Sequence, residues 1–123
     1  MALSRIIFDN RFIQALPADM VTDNVPRQVY NAVYSWVAPT KVSNPQLVAV
    51  SEELALTLGF TLSDCQSNDF AEVFTGNKRI TGMQTYATCY GGHQFGHWAG
   101  QLGDGRAINL GEVDTASLGN QTL

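Results

Sequence analysis

An α+β fold is predicted by three stretches of the 123-residue sequence. Residues 28–37, "QVYNAVYSWV", are rich in β-branched and aromatic residues, which suit a pleated surface. Residues 43–60, "SNPQLVAVSEELALTLGF", repeat apolar side chains at three- and four-residue spacing, the period of a helix with one buried stripe. Residues 98–113 read as strand, tight glycine turn and strand, so antiparallel pairing is expected there, with the helix packed upon it.

In order along the chain, residues 1–42 open with a short apolar run, "RIIF", followed by a turn-rich stretch in which Pro17 and Pro26 forbid a long helix. The strand at 28–37 places Tyr30, Ala32, Tyr34 and Trp36 on one face and Val29, Val33 and Val37 on the other. Both faces are therefore expected to be covered, and Pro39 ends the strand. The helix over 45–58 takes Ser43 or Asn44 as its N-cap, Pro45 as its first residue and Gly59 as its stop. Its buried stripe is Leu47, Val50, Leu54 and Leu58, with Glu52 and Glu53 outside. A shorter helix is expected in "SNDFAEVFTGN", with Phe70, Val73 and Phe74 inward and Gly76 as its stop. The last ten residues, "DTASLGNQTL", predict a turn leading into a further strand.

Composition restricts the function. A chain of this length is about one domain, and 45% hydrophobic with 15% charged residues is the balance of a globular protein. A net charge of −4 argues against a general nucleic-acid binder, which carries a basic stripe. No apolar run reaches a membrane-spanning length. The N-terminus has a polar break at Asp9–Arg11 and no small-residue cleavage site, so it does not read as a secretory signal. Cys65 and Cys89 are too few for a disulfide framework and are expected to be buried thiols in a reducing cytoplasm.

The chemistry is concentrated in "YGGHQFGHWAGQLGDGRAINLGEV", residues 90–113. This stretch holds seven of the eleven glycines and both histidines. Three readings are open. Cys89, His93 and His97 have ligand-type side chains at four-residue spacing, which would align a zinc site on a helix. Glycines 91, 92 and 96 disfavour that helix, at roughly 1 kcal/mol each relative to alanine. The second reading is a phosphate turn, Gly103-Asp104-Gly105 followed by Arg106. Glycine lets the backbone approach phosphate oxygens, and arginine adds a planar donor fork. Strand on both sides of the turn disfavours a dinucleotide fold, and the absence of Gly-Lys-Ser/Thr excludes a Walker loop. A glycine-rich turn between strands is what kinase-like folds lay over phosphates. The third reading is sheet architecture alone, in a non-catalytic binding or scaffold module, since Asp-Gly is also a favoured hairpin turn.

The run "YGGHQFGHWAGQLGDGRAINLGE" resembles the signature of the selenoprotein O family. "FDNRF", "LPAD" and "PRQVYNAVYSWVAPTKVSNPQLVAVSEELALTLGF" are similar to that family's opening segment, in the same order, so the resemblance covers nearly the entire chain. It implies a protein-kinase-like fold, of the pseudokinase kind, that binds ATP in a flipped orientation. The implied reaction moves AMP from ATP to Ser, Thr or Tyr hydroxyls of proteins, with magnesium or manganese. It also implies that Gly103, Gly105 and Arg106 contact the nucleotide, while Asp104, acidic beside phosphates, is given no ligand role.

On the same resemblance, residues 1–78 are a family-specific segment and 79–123 begin a kinase-like N-lobe. The chain's lysines, Lys41 and Lys78, both precede the turn, and no basic residue follows Arg106. The catalytic lysine, the acidic residues and the metal ligands are therefore expected beyond Leu123. The chain reads as an N-terminal fragment, inactive alone, and a sheet left without its next strand is expected to pair with a second copy.

Overall fold

The computed structural model describes residues 3–23, 25–102 and 107–123. The protein is α+β, with short helices and three small sheets. It divides into two compact units, each assembled from separate stretches of chain.

The first unit comprises residues 1–9, 39–84 and 110–123. A 3-10 turn at Leu3–Arg5 precedes helices α2 (Glu52–Thr57), α3 (Leu62–Cys65) and α4 (Asn68–Phe74), with α1 (Arg11–Ala15) belonging to the other unit. Strands β6 (Glu112–Thr115) and β7 (Gly119–Thr122) form an antiparallel hairpin, so the terminal turn and strand expected from the sequence are present. Phe8 bridges to Val113, and the Asp9 amide donates to the Glu112 carbonyl at 2.9 Å, which adds the N-terminal segment to the outer side of β6.

The core of this unit gathers Ile6, Ala55, Phe60, Phe70, Val73 and Val113 around the fully buried Cys65. Phe60 and Phe70 meet edge to face with centroids 5.6 Å apart. Burying a phenylalanine to this degree contributes about 1.5–3 kcal/mol. Burial also pushes the Cys65 thiol above its ordinary range, keeping it protonated at neutral pH.

The helix expected over 45–58 begins at Glu52 instead. Ser51 is the N-cap, its hydroxyl accepting from the Leu54 amide, and Glu52 and Glu53 place negative charge at the helix N-terminus. Upstream, the Asn77 side chain holds the backbone of Val42 at both ends, donating to its carbonyl at 2.7 Å and accepting from its amide at 2.8 Å. Asn44 takes a left-handed conformation. Pro45 is therefore outside the helix, and the expected stripe breaks up. Val50 and Leu58 pack on the core and Ala55 is buried, whereas Leu47 and Leu54 are exposed.

The predicted stop holds. Gly59 donates to Leu56 and Phe60 donates to Ala55, the paired bonds of a Schellman motif. Helix α4 starts on Ser67 and ends at the Thr75–Gly76 cap, close to expectation, although Phe74 lies on the rim rather than inside. Helix α3 follows a Thr61/Asp64 capping box.

The second unit comprises residues 10–38 and 85–109. Helix α1 (Arg11–Ala15) and strands β1 (Ala18–Asp19), β2 (Tyr34–Trp36) and β3 (Tyr86–Thr88) surround a small aromatic core. The sheet order is β1-β2-β3, with β1 parallel and β3 antiparallel to β2, so the pairing is not wholly antiparallel as expected. Tyr34 and Tyr86 are buried and pack edge to face, and Phe12 stacks on Tyr86 with centroids 5.4 Å apart. The Tyr34 hydroxyl donates to the Ile13 carbonyl at 2.8 Å.

The strand expected at 28–37 is reduced to 34–36. Asn31 has φ 57°, a left-handed turn that interrupts the extended run. The face changes with it: Val29, Ala32 and Tyr34 are buried, while Tyr30, Val33 and Trp36 are exposed. Neither face is covered along its whole length.

Candidate functional site

Strand β4 (Tyr90–Gln94) and strand β5 (His97–Leu102) form an antiparallel hairpin within the second unit. Within the described residues the glycine-rich stretch forms a hairpin that turns at Phe95–Gly96. Gln94 pairs with His97, leaving a two-residue loop with φ 51° at Phe95 and 82° at Gly96. Positive φ at both loop positions is what a type I′ turn requires, and it matches the twist of the flanking strands. The expected hairpin over 98–113 is not formed: β5 pairs with β4, and β6 pairs with β7.

The hairpin carries an irregularity that positions its far end. Gly91 pairs with Gln101 and His93 with Trp98, so Ala99 and Gly100 of β5 stand opposite Gly92 alone. This is a β-bulge, and Gly100 occupies it at φ 76°. A side chain at Gly100 would be strained by that φ and would also meet Gln28, since an added Cβ would lie 2.2 Å from Gln28 Oε1. Residues 28–32 run along the other side of β5. The Gln28 side-chain amide donates to the Ala99 carbonyl at 2.6 Å, the Val29 amide to the Gln101 carbonyl at 2.9 Å, and the Gln101 side-chain amide to the Ala32 carbonyl at 2.8 Å. Gln28 and Leu102 form a bridge at the end of β5.

Gly103, Gly105 and Arg106, expected from the sequence to contact nucleotide, lie outside the described residues, as does Asp104. Their flanks are described, and both are pinned within the second unit. Leu102 is bridged to Gln28 on the entering side. On the leaving side Asn109 exchanges two backbone hydrogen bonds with Tyr86, at 2.8 and 3.1 Å.

Cys89, His93 and His97 do not form the helical triplet that a zinc site would need. Cys89 sits between β3 and β4, His93 lies in β4 opposite Trp98, and His97 begins β5 beyond the turn. His93 contacts the Trp98 ring edge-on, with centroids 5.3 Å apart. Among the described residues no group of three His, Cys, Asp or Glu side chains is placed to hold a metal ion.

A polar network in the same unit was not visible in the sequence. Asp19, on β1, accepts from the Ser35 hydroxyl at 3.1 Å and from the Val21 amide at 3.1 Å, and it pairs with the Arg27 guanidinium. Arg27 also donates to the carbonyls of Val21, Asp23 and Val25, gathering the 19–27 loop around one cation. Burial alone would raise the Asp19 carboxyl, but the bonds from Val21, Ser35 and Arg27 outweigh it and hold it below the ordinary range. Ser35 also shares a hydrogen bond with Cys89. Burial pushes the Cys89 thiol up, so this half-buried cysteine is protonated at neutral pH and is a poor nucleophile.

Comparison with known proteins places the chain in a family. Residues 21–123 match the family described as protein adenylyltransferase SelO. The proteins named "Protein nucleotidyltransferase YdiU" from Azoarcus sp. and Aromatoleum aromaticum are 61% identical over 108 residues and 56% identical over 113 residues. The protein of the same name from Rhodopirellula baltica is 53% identical over 118 residues. These alignments cover 88%, 92% and 96% of this chain but 21%, 22% and 22% of the relatives, so the chain spans about a fifth of their length. The chain belongs to the SelO family of protein adenylyltransferases.

Proposed function

We propose that this chain is the N-terminal part of an ATP-dependent protein adenylyltransferase, in which Gly103, Gly105 and Arg106 hold the phosphates of ATP. The observation that carries the reading is the Gly-Asp-Gly-Arg sequence entered from a bulged, doubly bonded strand in a chain of the SelO family. Backbone amides in a glycine turn can approach phosphate oxygens closely, and the Arg106 guanidinium supplies a fixed positive charge with a planar donor fork. Both act by positioning and by stabilising negative charge.

The reaction is attack of a Ser, Thr or Tyr hydroxyl of another protein on the α-phosphorus of ATP. The bond to the β-phosphate oxygen breaks, the hydroxyl proton is released and pyrophosphate leaves. On this reading residues 79–123 begin the N-lobe of a pseudokinase-type, protein-kinase-like fold, with 1–78 as the family-specific segment. The general base and the ligands for magnesium or manganese lie outside these 123 residues, and the segment alone transfers no AMP. The partners are ATP and acceptor proteins in the cytoplasm. Among the described residues no helix is long and apolar enough to cross a membrane. In an isolated copy of the segment, the outer edge of β4 is the surface where a second copy would pair.

The test uses ATP labelled at either the α- or the γ-phosphate, incubated with the full-length protein and divalent metal. Label reaching protein from the α position only is the expected result. Label from γ only would replace this reading with phosphoryl transfer.

A further inference from the structure

We infer that the tip of the β4–β5 hairpin, residues 93–98, is a flap hinged at Gly92 and at the bulge that faces it. The hinge does not depend on what the protein binds. The glycines of this hairpin differ in what requires them. Gly96 and Gly100 have φ 82° and 76°, a conformation that side chains disfavour. At Gly91 an added Cβ would stand 2.8 Å from the Trp98 ring. Gly92 has neither reason. Its φ is not positive, and an added Cβ would meet nothing within 4 Å. A glycine inside a strand loses order and packs nothing in return. The conformation seen makes no use of the missing side chain at 92, so what glycine adds there is freedom to move.

The two sides of Gly92 are held differently. On the base side the Cys89 amide donates to the Val33 carbonyl at 2.8 Å, and Ala99, Gln101 and Leu102 are tied to residues 28–32. On the tip side, among the described residues, the hydrogen bonds and ring contacts of 93–98 run within the hairpin itself. The pivot between them is Gly92 on one strand and the bulge residues Ala99 and Gly100 on the other, where the ladder is already interrupted.

Two contacts cross this pivot and latch the tip. The Trp98 ring lies over Gly91, and the Gln94 side-chain amide donates to the Tyr90 hydroxyl at 3.1 Å. The Gln94 bond is exposed and Trp98 keeps 63% of its exposure, so water replaces both contacts readily when the latch opens. The hairpin is therefore an anchored base with a latched flap that carries two exposed aromatic side chains, Phe95 and Trp98.

The test is hydrogen exchange in the full-length protein. The flap is read on the amides of Gln94 and His97, the pair that closes the loop. The reference is the Tyr86 amide of β3 in the same unit, which donates to Asn109. The flap pair should be at least about tenfold less protected than the reference, as expected of a unit that opens locally. Gly92→Val keeps the extended backbone and restricts the pivot. It should raise protection of the flap about two- to fivefold and leave Tyr86 unchanged. Gly92→Ala should give a smaller shift in the same direction, and it carries the test if the valine protein does not fold. Gly91→Ala should act in the opposite sense, because its Cβ displaces Trp98 and releases the latch. A flap as well protected as Tyr86, or no gain in either Gly92 variant, would overturn the hinge. An equal gain at the flap and at Tyr86 would also overturn it, since the substitution would then be stabilising the whole unit.

Discussion

Alanine at position 106 is expected to weaken ATP binding about ten- to a hundredfold in the full-length protein. Hydrogen bonds to a charged group contribute about 1.5–3 kcal/mol, and each 1.4 kcal/mol is a factor of ten. Arginine meets a phosphate with two parallel donors, so the loss should sit towards the upper end of that range. Lysine at 106 keeps the charge and discards the fork, and it should recover only part of the affinity. No other lysine or arginine lies between Arg79 and the end of this chain. Titration with ATP at fixed ionic strength measures the effect. An Arg106→Ala protein that binds ATP as tightly as the unmodified one would exclude the phosphate role.

Asp19→Ala is expected to destabilise the protein by about 2–4 kcal/mol. Removing one partner of a buried pair leaves the other uncompensated, at a cost of about 3–5 kcal/mol when both are fully enclosed. The Arg27 side chain keeps 25% of its exposure, so water recovers part of that cost. Four groups lose their arrangement at once: Val21, Arg27 and Ser35 lose an acceptor, and Cys89 loses the fixed orientation of Ser35. Urea unfolding of both proteins measures the difference.

The pH dependence has a definite sign. The folded Asp19 carboxyl titrates below its unfolded value of about 3.9, so its contribution is fully present above pH ~4. That contribution is lost as pH falls through the folded value. The gap between the two proteins should therefore be constant from pH 5 to 8 and close in stronger acid. A gap that instead widened towards low pH would contradict the assignment.

Local signals in the sequence match the structure where no distant contact competes with them. Helix α4 has Phe70 and Val73 three apart behind Ser67, and both the helix and its Gly76 stop stand where the pattern puts them. Gly59 ends its helix for the same reason: the Schellman bonds involve only residues 55–60. The start of that helix was misplaced because Asn44-Pro45 and Ser51-Glu52-Glu53 are both acceptable starts. Asn44 takes a left-handed conformation, and Ser51 is the residue that caps the helix.

The aromatic run at 28–37 misled in another way. Its period-two pattern was real, but one left-handed residue, Asn31, resets the phase. In the candidate site, glycine content announced a hairpin without announcing where it turns. The turn of this hairpin has Phe95 in a conformation usually left to Asn, Asp or Gly. A glycine inside a strand pattern is a recognised sign of a bulge, and Gly100 was the available clue to one. The partners Gln28 and Ala99 are 71 positions apart, beyond any local pattern, and the pair Asp19–Arg27 spans a loop with no periodicity.

Residues 103–106 are proposed to bind the phosphates of ATP. A crystal structure of the full-length protein with a non-hydrolysable ATP analogue and manganese tests this most directly. Phosphate oxygens are expected within hydrogen-bonding distance of the Gly103 and Gly105 amides and of the Arg106 guanidinium. A nucleotide bound with its phosphates away from all three would contradict it.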